Sequence, residues 1–176
     1  MITPEEFKKL IDFAYEAHEL NINDHGWTTR QRGMVPFVVH PIWCALMLLN
    51  DLSLPKEQRE LGFHVLLLHD VVEDTTLPLP QDLSEEVVRL VGEMTYKNFD
   101  EEKTLVPYKS TFIQFLKVID KVATIYDNFG DDNIMKPERK KEWRQYTELL
   151  LKNTEADFGH TQSYKVAKLI VENCGW

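Results

Sequence analysis

Cysteine is scarce in this chain, and long apolar runs are missing. The 176 residues include two cysteines, Cys44 and Cys174, which are too few and too far apart for a disulfide scaffold or a cysteine-based zinc site. No run of about 18 apolar residues occurs, so we expect no membrane span. Charged side chains interrupt the apolar positions near the start, so the sequence predicts no signal peptide and a cytoplasmic location.

Positive charge is also in short supply. Lysine and arginine number 20 against 29 aspartates and glutamates, which gives a net charge of -9. Because stable nucleic-acid binding needs a basic surface, we expect none here. A phosphorylated small molecule is not excluded, because a metal ion can reverse the local field. The length and the 43% hydrophobic content predict a single globular domain over residues 1–176.

The spacing of apolar residues predicts helices throughout the chain. Polar loops are predicted at residues 21–32 and 77–80, a charged connection at 97–103, and a turn at 131–137. Thr154 and Asp157 are predicted to cap the last helix. No segment shows the alternation of a strand, so the predicted fold class is all-α. Helices are predicted at approximately residues 4–18, 41–52, 84–91 and 106–130. Another predicted helix holds His69 and Asp70, between a turn at residues 53–55 and the loop at 77–80. A helix that carries Trp143 and Leu150 follows residue 137, and the last helix ends at Gly175.

Residues 66–76 carry four ionisable side chains, His69, Asp70, Glu73 and Asp74, in or beside an apolar run. On a helix these positions share one surface. Buried charges need a partner or a metal ion. A histidine beside a carboxylate, with two more acids one turn later, is typical of a site that binds a divalent cation and activates a water molecule. The alternative is a buried ion pair between His69 and Asp70, which leaves the other two acids without a role.

Two more candidate ligands lie elsewhere in the chain. His40 stands at a loop-to-helix boundary before Pro41, and Asp120 is an acid among apolar helix positions. Two imidazoles and two carboxylates suit manganese, iron, zinc or cobalt. The alternatives are that His40 packs near Pro41, and that Asp120 pairs with Lys117 or Lys121, although the adjacent position of Lys121 is poorly aimed for pairing.

The order of these four residues resembles the signature of the HD phosphohydrolase superfamily. The neighbouring segments resemble the hydrolase domain of RelA/SpoT-type alarmone enzymes. This resemblance is strongest over residues 7–130, and residues 131–176 are C-terminal helices that complete the core or form a subunit contact. It implies a small, hydrolase-only member with an HD-domain helical bundle. The segments that carry it are 14–18, 32–41, 67–75, 91–95 and 117–121.

The resemblance implies a mechanism and a substrate class. Glu73 and Asp74 would orient and activate the attacking water. The reaction would release pyrophosphate from the 3′ position of a guanosine, or adenosine, polyphosphate. One divalent ion, manganese first with zinc, iron or cobalt as alternatives, would be bound by His40, His69, Asp70 and Asp120.

The chain departs from the pattern of that family at two places near the expected substrate. Thr124 stands where the family has an asparagine, four residues after the last metal ligand. The loop before His40 is one residue longer, so Arg30 or Arg32 fills the arginine position beside the base. Lys121 is the remaining candidate contact for substrate, and a surface position is the alternative for all three basic residues.

The sequence is also compatible with other functions and contacts. One alternative is an HD-type hydrolase of another nucleotide, such as a deoxynucleotide, and another is a module that senses a nucleotide without cleaving it. A homo-oligomer is compatible with the sequence. Lys97, Lys103 and Lys109 either meet substrate phosphates or lie on the surface. His18 and His64 are expected to be core residues.

Overall fold

The computed structural model describes residues 2–24, 28–30, 34–127 and 136–173, and these are almost wholly helical. The predicted all-α fold is confirmed. The helices of the described part are α1 (Pro4–Leu20), α2 (Val39–Leu49), α3 (Lys56–Asp74), α4 (Glu85–Met94), α5 (Phe99–Leu105), α6 (Thr111–Asp127), α7 (Pro137–Phe158) and α8 (Gln162–Asn173), with a 3₁₀ turn at Val106–Tyr108.

Helix α1 begins where the sequence predicts. The Thr3 hydroxyl accepts a hydrogen bond from the Glu6 N–H at 3.1 Å, and the Glu6 carboxylate accepts one from the Thr3 N–H at 3.4 Å. This reciprocal capping box satisfies two backbone donors that a helix start leaves without partners. Pro4 occupies the first turn, where its missing N–H costs nothing.

A short antiparallel pair was not predicted from the sequence. Strand β1 (Thr29–Arg30) pairs with β2 (Val35–Pro36), and Ile22 forms an isolated bridge with Thr75. Two-residue strands are too short to produce a visible alternation in the sequence. The Ile22–Thr75 bridge ties the segment after α1 to the end of α3, whereas β1 and β2 pair within the segment before α2.

Helix α5 occupies the segment for which the sequence predicts a charged connection. Its start is capped by Asn98, whose side-chain oxygen accepts a hydrogen bond from the Glu101 N–H at 3.0 Å. The Phe99 ring stacks on Trp143 of α7 with the ring centroids 5.1 Å apart. The prediction failed because a contact between residues distant in the sequence orders this helix, and local periodicity does not report such contacts.

Several other helix boundaries differ from the prediction. Helix α6 begins at Thr111 rather than near residue 106, because the 3₁₀ turn precedes it. The predicted cap at Thr154 and Asp157 was wrong, since α7 runs through both residues. The hydroxyl of Thr161 instead accepts the Tyr164 N–H at 3.2 Å, at the start of α8. The turn predicted at 131–137 falls mostly outside the described residues.

The core lies between α2, α3 and α6. Gly62 of α3 permits the close approach of α2, since a Cβ there would lie 1.9 Å from the Leu48 Cδ2 atom. The C-terminal helices close the other side, where the Phe158 ring of α7 stacks on Phe115 of α6 at 4.3 Å. Residues 137–173 therefore complete the core. This was one of the two roles that the sequence left open for the C-terminal helices, the other being a subunit contact. Among the helices of the described ranges, none has the length and apolar character needed to cross a bilayer.

Candidate metal centre and adjoining cavity

Three helices bring the four predicted ligands together in the core. His40 lies in the first turn of α2, His69 and Asp70 lie in α3, and Asp120 lies in α6. All four side chains are buried. One ligand atom from each of His40, His69 and Asp120 lies within 4.8 Å of the others, a grouping that could hold a metal ion.

Asp70 adjoins this group. Its Oδ1 atom lies 3.0 Å from Nε2 of His69, and its Oδ2 atom lies 3.7 Å from Nε2 of His40. Asp120 faces the same two rings, with Oδ1 at 3.1 Å from Nε2 of His40 and 3.7 Å from Nε2 of His69. The ring nitrogens and the carboxylate oxygens therefore converge on one small volume.

The orientation of His69 is fixed by a backbone carbonyl. Its Nδ1 atom lies 2.8 Å from the Leu66 carbonyl oxygen, which can only accept, so the proton belongs on Nδ1 and the Nε2 atom faces the carboxylates. Nε2 of His69 and Oδ2 of Asp70 form no hydrogen bond of regular geometry among the described residues, although Nε2 of His69 lies close to a carboxylate oxygen of Asp70. Buried lone pairs that face one another in this way fit a cation between them.

The pKa values of the metal-free cluster point to the same need for positive charge. Although burial opposes the charged imidazole, Asp70 and Asp120 raise the pKa of His69 to about 9. Burial acts against ionisation of Asp120 as well, but Lys121 and Lys117 hold its pKa well below the ordinary value. In the metal-free protein a proton on His69 thus supplies positive charge beside the carboxylates, and a divalent cation would supply that charge in its place.

The donor set fits a divalent metal ion. Two imidazole nitrogens and two carboxylates suit manganese, iron, zinc or cobalt. Burial, followed by the charge of Arg30, lowers the pKa of His40, which favours the neutral imidazole that a metal requires.

Two of the predicted substrate contacts meet each other beside His40. The Arg30 Nη2 atom donates to the Thr124 hydroxyl at 3.0 Å, and its Nε atom lies 3.0 Å from Oδ2 of Asp127. The same Asp127 oxygen lies 4.0 Å from Nδ1 of His40. Arg32, the other candidate for the arginine position, lies outside the described residues.

Asp120 both contacts the lysines and faces the histidines. Its Oδ2 atom lies 3.3 Å from Nζ of Lys117 and 3.1 Å from Nζ of Lys121, while Oδ1 faces the imidazoles. Asp120 can therefore be a metal ligand and a partner of the lysines at the same time. The expectation that the adjacent Lys121 is poorly placed for pairing was wrong, because its ammonium reaches the Asp120 carboxylate. The structure directs the Lys121 ammonium to Asp120 and Glu102, whereas its role in substrate binding stays a prediction.

Sequence reasoning missed Glu102 and Asp127. Glu102 is buried, but it falls in the segment predicted as a charged connection, where an acid carries no signal of burial. Asp127 is an acid in the last turn of α6, a position where surface acids are common. The ion pair with Arg30 becomes visible only once the two segments are brought together.

Glu73 and Asp74 lie one helical turn after Asp70 and line an open cavity of about 670 Å³. Glu73 is anchored, since its Oε1 atom accepts the Tyr96 N–H at 2.8 Å. Burial, then the charges of Asp70 and Glu73, raises the pKa of Asp74 to about 7. The other residues lining the cavity are Val72, Thr95, Tyr96, Lys97 and Glu101, of which Lys97 is the basic one.

His18 and His64, the two histidines that the sequence predicts as core residues, lie at the edge of the four-residue cluster or apart from it. His64 contacts the Glu6 carboxylate at 3.2 Å and the Glu60 carbonyl at 2.7 Å. His18 is fully buried beside the Phe37 ring, at 5.1 Å between centroids, and burial lowers its pKa. The expectation that His18 is a core residue agrees with this burial.

Comparisons with known proteins bear on the fold. No family model matches the chain, and no curated protein matches it. A solved structure described as "A metazoan ortholog of SpoT hydrolyzes ppGpp and plays a role in starvation responses" matches with a TM-score of 0.73 at 18% sequence identity. The match covers 99% of this chain and 98% of that chain. The chain therefore shares the all-α fold of that solved structure over nearly its whole length.

Proposed function

We propose that this protein is a metal-dependent hydrolase that removes pyrophosphate from the 3′ position of guanosine or adenosine polyphosphate alarmones. The observation that carries the proposal is the convergence of two imidazoles and two carboxylates beside an acid-lined cavity. The solved structure with the same fold is described as a protein that hydrolyses ppGpp, which supports this substrate class.

In this proposal His40, His69, Asp70 and Asp120 hold one divalent ion, with manganese as the first candidate. The bound ion supplies Lewis-acid activation of water and offsets negative charge on the phosphoryl group. The Leu66 carbonyl holds the His69 ring in the tautomer that a metal ligand needs.

Asp74 is the proposed general base. A base acts best when its pKa lies near the working pH, and the pKa of Asp74 is raised to about 7. Glu73 orients the attacking water, because the hydrogen bond from the Tyr96 backbone fixes its carboxylate at the cavity wall. The two acids therefore have different tasks, although they are adjacent in the sequence.

Substrate contacts are proposed on two sides of the centre. The cavity volume of about 670 Å³ is within the range of small-molecule sites, and Lys97 can offer its ammonium to a phosphate there. Arg30, with Thr124 beside it, is proposed to contact the nucleotide base. Arg32 and Lys121 stay as predicted contacts, and a cytoplasmic location and a homo-oligomer stay as predictions.

One observation favours a second candidate substrate. Thr124 occupies the position at which the resembled family has asparagine, and its hydroxyl accepts a hydrogen bond from Arg30. Because threonine replaces asparagine as a partner of Arg30, the side chains that would contact the base or sugar differ from those of the resembled family. The alternative activity is hydrolysis of a deoxynucleotide by the same residues.

A nucleotide panel tests the proposed function. Manganese-loaded protein is incubated with guanosine and adenosine 3′-polyphosphates and with deoxynucleoside triphosphates, and the released phosphate species are identified. We expect pyrophosphate from the 3′-polyphosphates, loss of this activity in Asp70→Ala, and parent-like activity in the control His160→Ala, whose histidine is exposed. Cleavage of deoxynucleotides without 3′-pyrophosphate release would favour the alternative, and binding without cleavage would favour a sensor.

A further inference from the structure

Glu102 of α5 is a buried acid that touches none of the four metal-ligand candidates directly. Its side chain is 7% exposed, and its Oε2 atom lies 3.2 Å from Nζ of Lys117 and 2.9 Å from Nζ of Lys121. Both lysine side chains are buried as well. An acid at this depth needs compensation, and the two ammonium groups of α6 provide it.

The same two ammonium groups bind one oxygen of Asp120. Its Oδ2 atom lies 3.3 Å from Nζ of Lys117 and 3.1 Å from Nζ of Lys121. Its Oδ1 atom is left to His40, at 3.1 Å. The two oxygens of Asp120 are thus divided, one facing the lysines and the other facing the candidate metal centre.

Aromatic rings cover this charged group of Glu102, Lys117, Lys121 and Asp120. The Lys121 ammonium lies 4.7 Å from the Trp143 ring centroid, and the Lys117 ammonium lies 5.3 Å from that of Tyr96. Cation–π contacts of this kind partly replace water around a buried ammonium. Helix α7, which carries Trp143, therefore helps to enclose the charged group.

Stability alone is a weak reason to bury these four charges. The cost of removing charges from water often equals or exceeds their attraction, and hydrophobic replacements of buried ion pairs are often neutral or stabilising. Charge balance is kept here, because two carboxylates face two ammonium groups. Since Glu102 shares both ammonium groups with Asp120, Asp120 retains more negative charge for a cation than it would alone with two lysines.

We propose that Glu102 is a positioning residue that sets the metal affinity of the centre through Lys117, Lys121 and Asp120. It holds the two ammonium groups at Oδ2 of Asp120, so that Oδ1 stays turned toward the imidazoles. This inference rests on the proposed metal-dependent function and assigns to it a residue outside the ligand set.

The test is the affinity of the purified full chain for Mn²⁺, measured by calorimetry without nucleotide. We expect Glu102→Gln, which keeps the shape but removes the charge, to bind Mn²⁺ about 10–100-fold more weakly. The matched control is Asp100→Asn, on the same helix, whose exposed carboxylate contacts Arg139 and whose loss should leave the affinity unchanged. Thermal unfolding in chelator shows whether each variant is folded.

A second variant separates positioning from a purely structural role. Glu102→Gln combined with Lys121→Gln restores charge balance with one ammonium and one carboxylate. We expect it to bind Mn²⁺ several-fold more tightly than Glu102→Gln alone, although it has lost more contacts. If Glu102→Gln does not fold, Glu102→Asp, which keeps the charge, is expected to fold and to bind Mn²⁺ with an affinity below that of the parent.

Parent-like Mn²⁺ affinity in the folded Glu102 variant, or an affinity of the double variant no better than that of Glu102→Gln, would overturn the inference. Because nucleotide is absent from this measurement, its result is distinct from that of the substrate panel. A parent that binds Mn²⁺ but cleaves no alarmone contradicts the proposed substrate and still permits the affinity comparison.

Discussion

The Nε2 atom of His40 lies 3.1 Å from Oδ1 of Asp120, although 80 residues separate the two in the chain. His40 belongs to α2 and Asp120 to α6, and both helices pack on α3. The contact is therefore a product of core packing, and the candidate metal centre depends on the same packing that stabilises the fold.

The two adjacent acids of α3 should respond differently to amide substitution. We expect Asp74→Asn to lower kcat by about 10²–10⁴-fold, because an amide cannot accept the proton that a general base takes. Glu73→Gln should lower it less, since the Gln side-chain oxygen can still accept the Tyr96 N–H that now binds Glu73. Steady-state kinetics with a 3′-polyphosphate nucleotide measure both.

The control for this comparison is Mn²⁺ affinity, which both variants should retain within a few-fold. Equal kcat losses in the two variants would contradict the assigned division of roles. So would an Asp74→Asn variant as active as the parent.

Metal binding should depend on pH through His69. Its pKa is raised from 6.5 to about 9 in the metal-free protein. Protonation of His69 therefore contributes stability that is fully present below about pH 6.5 and is lost as the pH rises through 9. Because a metal ion replaces this proton, we expect the affinity for Mn²⁺ to rise by up to about tenfold per pH unit between pH 6.5 and 8.5.

Thermal unfolding in chelator and Mn²⁺ titrations across this pH range measure both effects. In the metal-free protein the His69 contribution to the melting temperature should fall with rising pH, and added Mn²⁺ should offset the fall. In the variant His69→Gln, the melting temperature and the Mn²⁺ affinity should both lose the share of their pH dependence that comes from His69. A parent whose Mn²⁺ affinity does not change with pH would contradict the proton–metal exchange.

Arg30 should contribute to substrate binding more than to the chemical step. We expect Arg30→Gln to raise KM by about 10-fold with a smaller change in kcat, because it removes a contact made equally in the ground and transition states. The matched control is Arg89→Gln, which removes an exposed arginine of α4 paired with Glu93. An unchanged KM in Arg30→Gln would remove this residue from the substrate site.

The packing of α2 on α3 can be tested with a pair of glycines. We expect Gly62→Ala to destabilise the protein by about 1–3 kcal/mol, because the new methyl group would overlap the buried Leu48 side chain. Gly92→Ala should instead stabilise it by about 0.5–1 kcal/mol, since open space surrounds that helical position. Denaturant unfolding measures both free energies, and a destabilising Gly92→Ala would contradict the packing described.

The sequence predicted most of the helices and the four candidate metal ligands, for identifiable physical reasons. Helical periodicity is a local signal, so the buried faces of α3 and α6 can be recognised within their own segments. Acids and histidines among apolar residues, such as Asp120, are unusual enough to attract a functional interpretation. The resemblance then connected segments that periodicity alone leaves separate.

What the sequence could not predict depends on contacts between distant segments. Helix α5 packs on the rest of the fold through the stacking of Phe99 on Trp143, 44 positions later, and it carries the buried Glu102. The pairing of Arg30 with Asp127 likewise joins the loop before α2 to the end of α6. Such contacts leave no periodic pattern in either segment.

The most direct test of the central claim is a diffraction experiment on crystals grown with Mn²⁺, with anomalous data collected at the manganese edge. We predict one strong anomalous peak between the Nε2 atoms of His40 and His69 and the carboxylates of Asp70 and Asp120. The absence of a peak there, or a manganese ion held by other residues, would contradict the account.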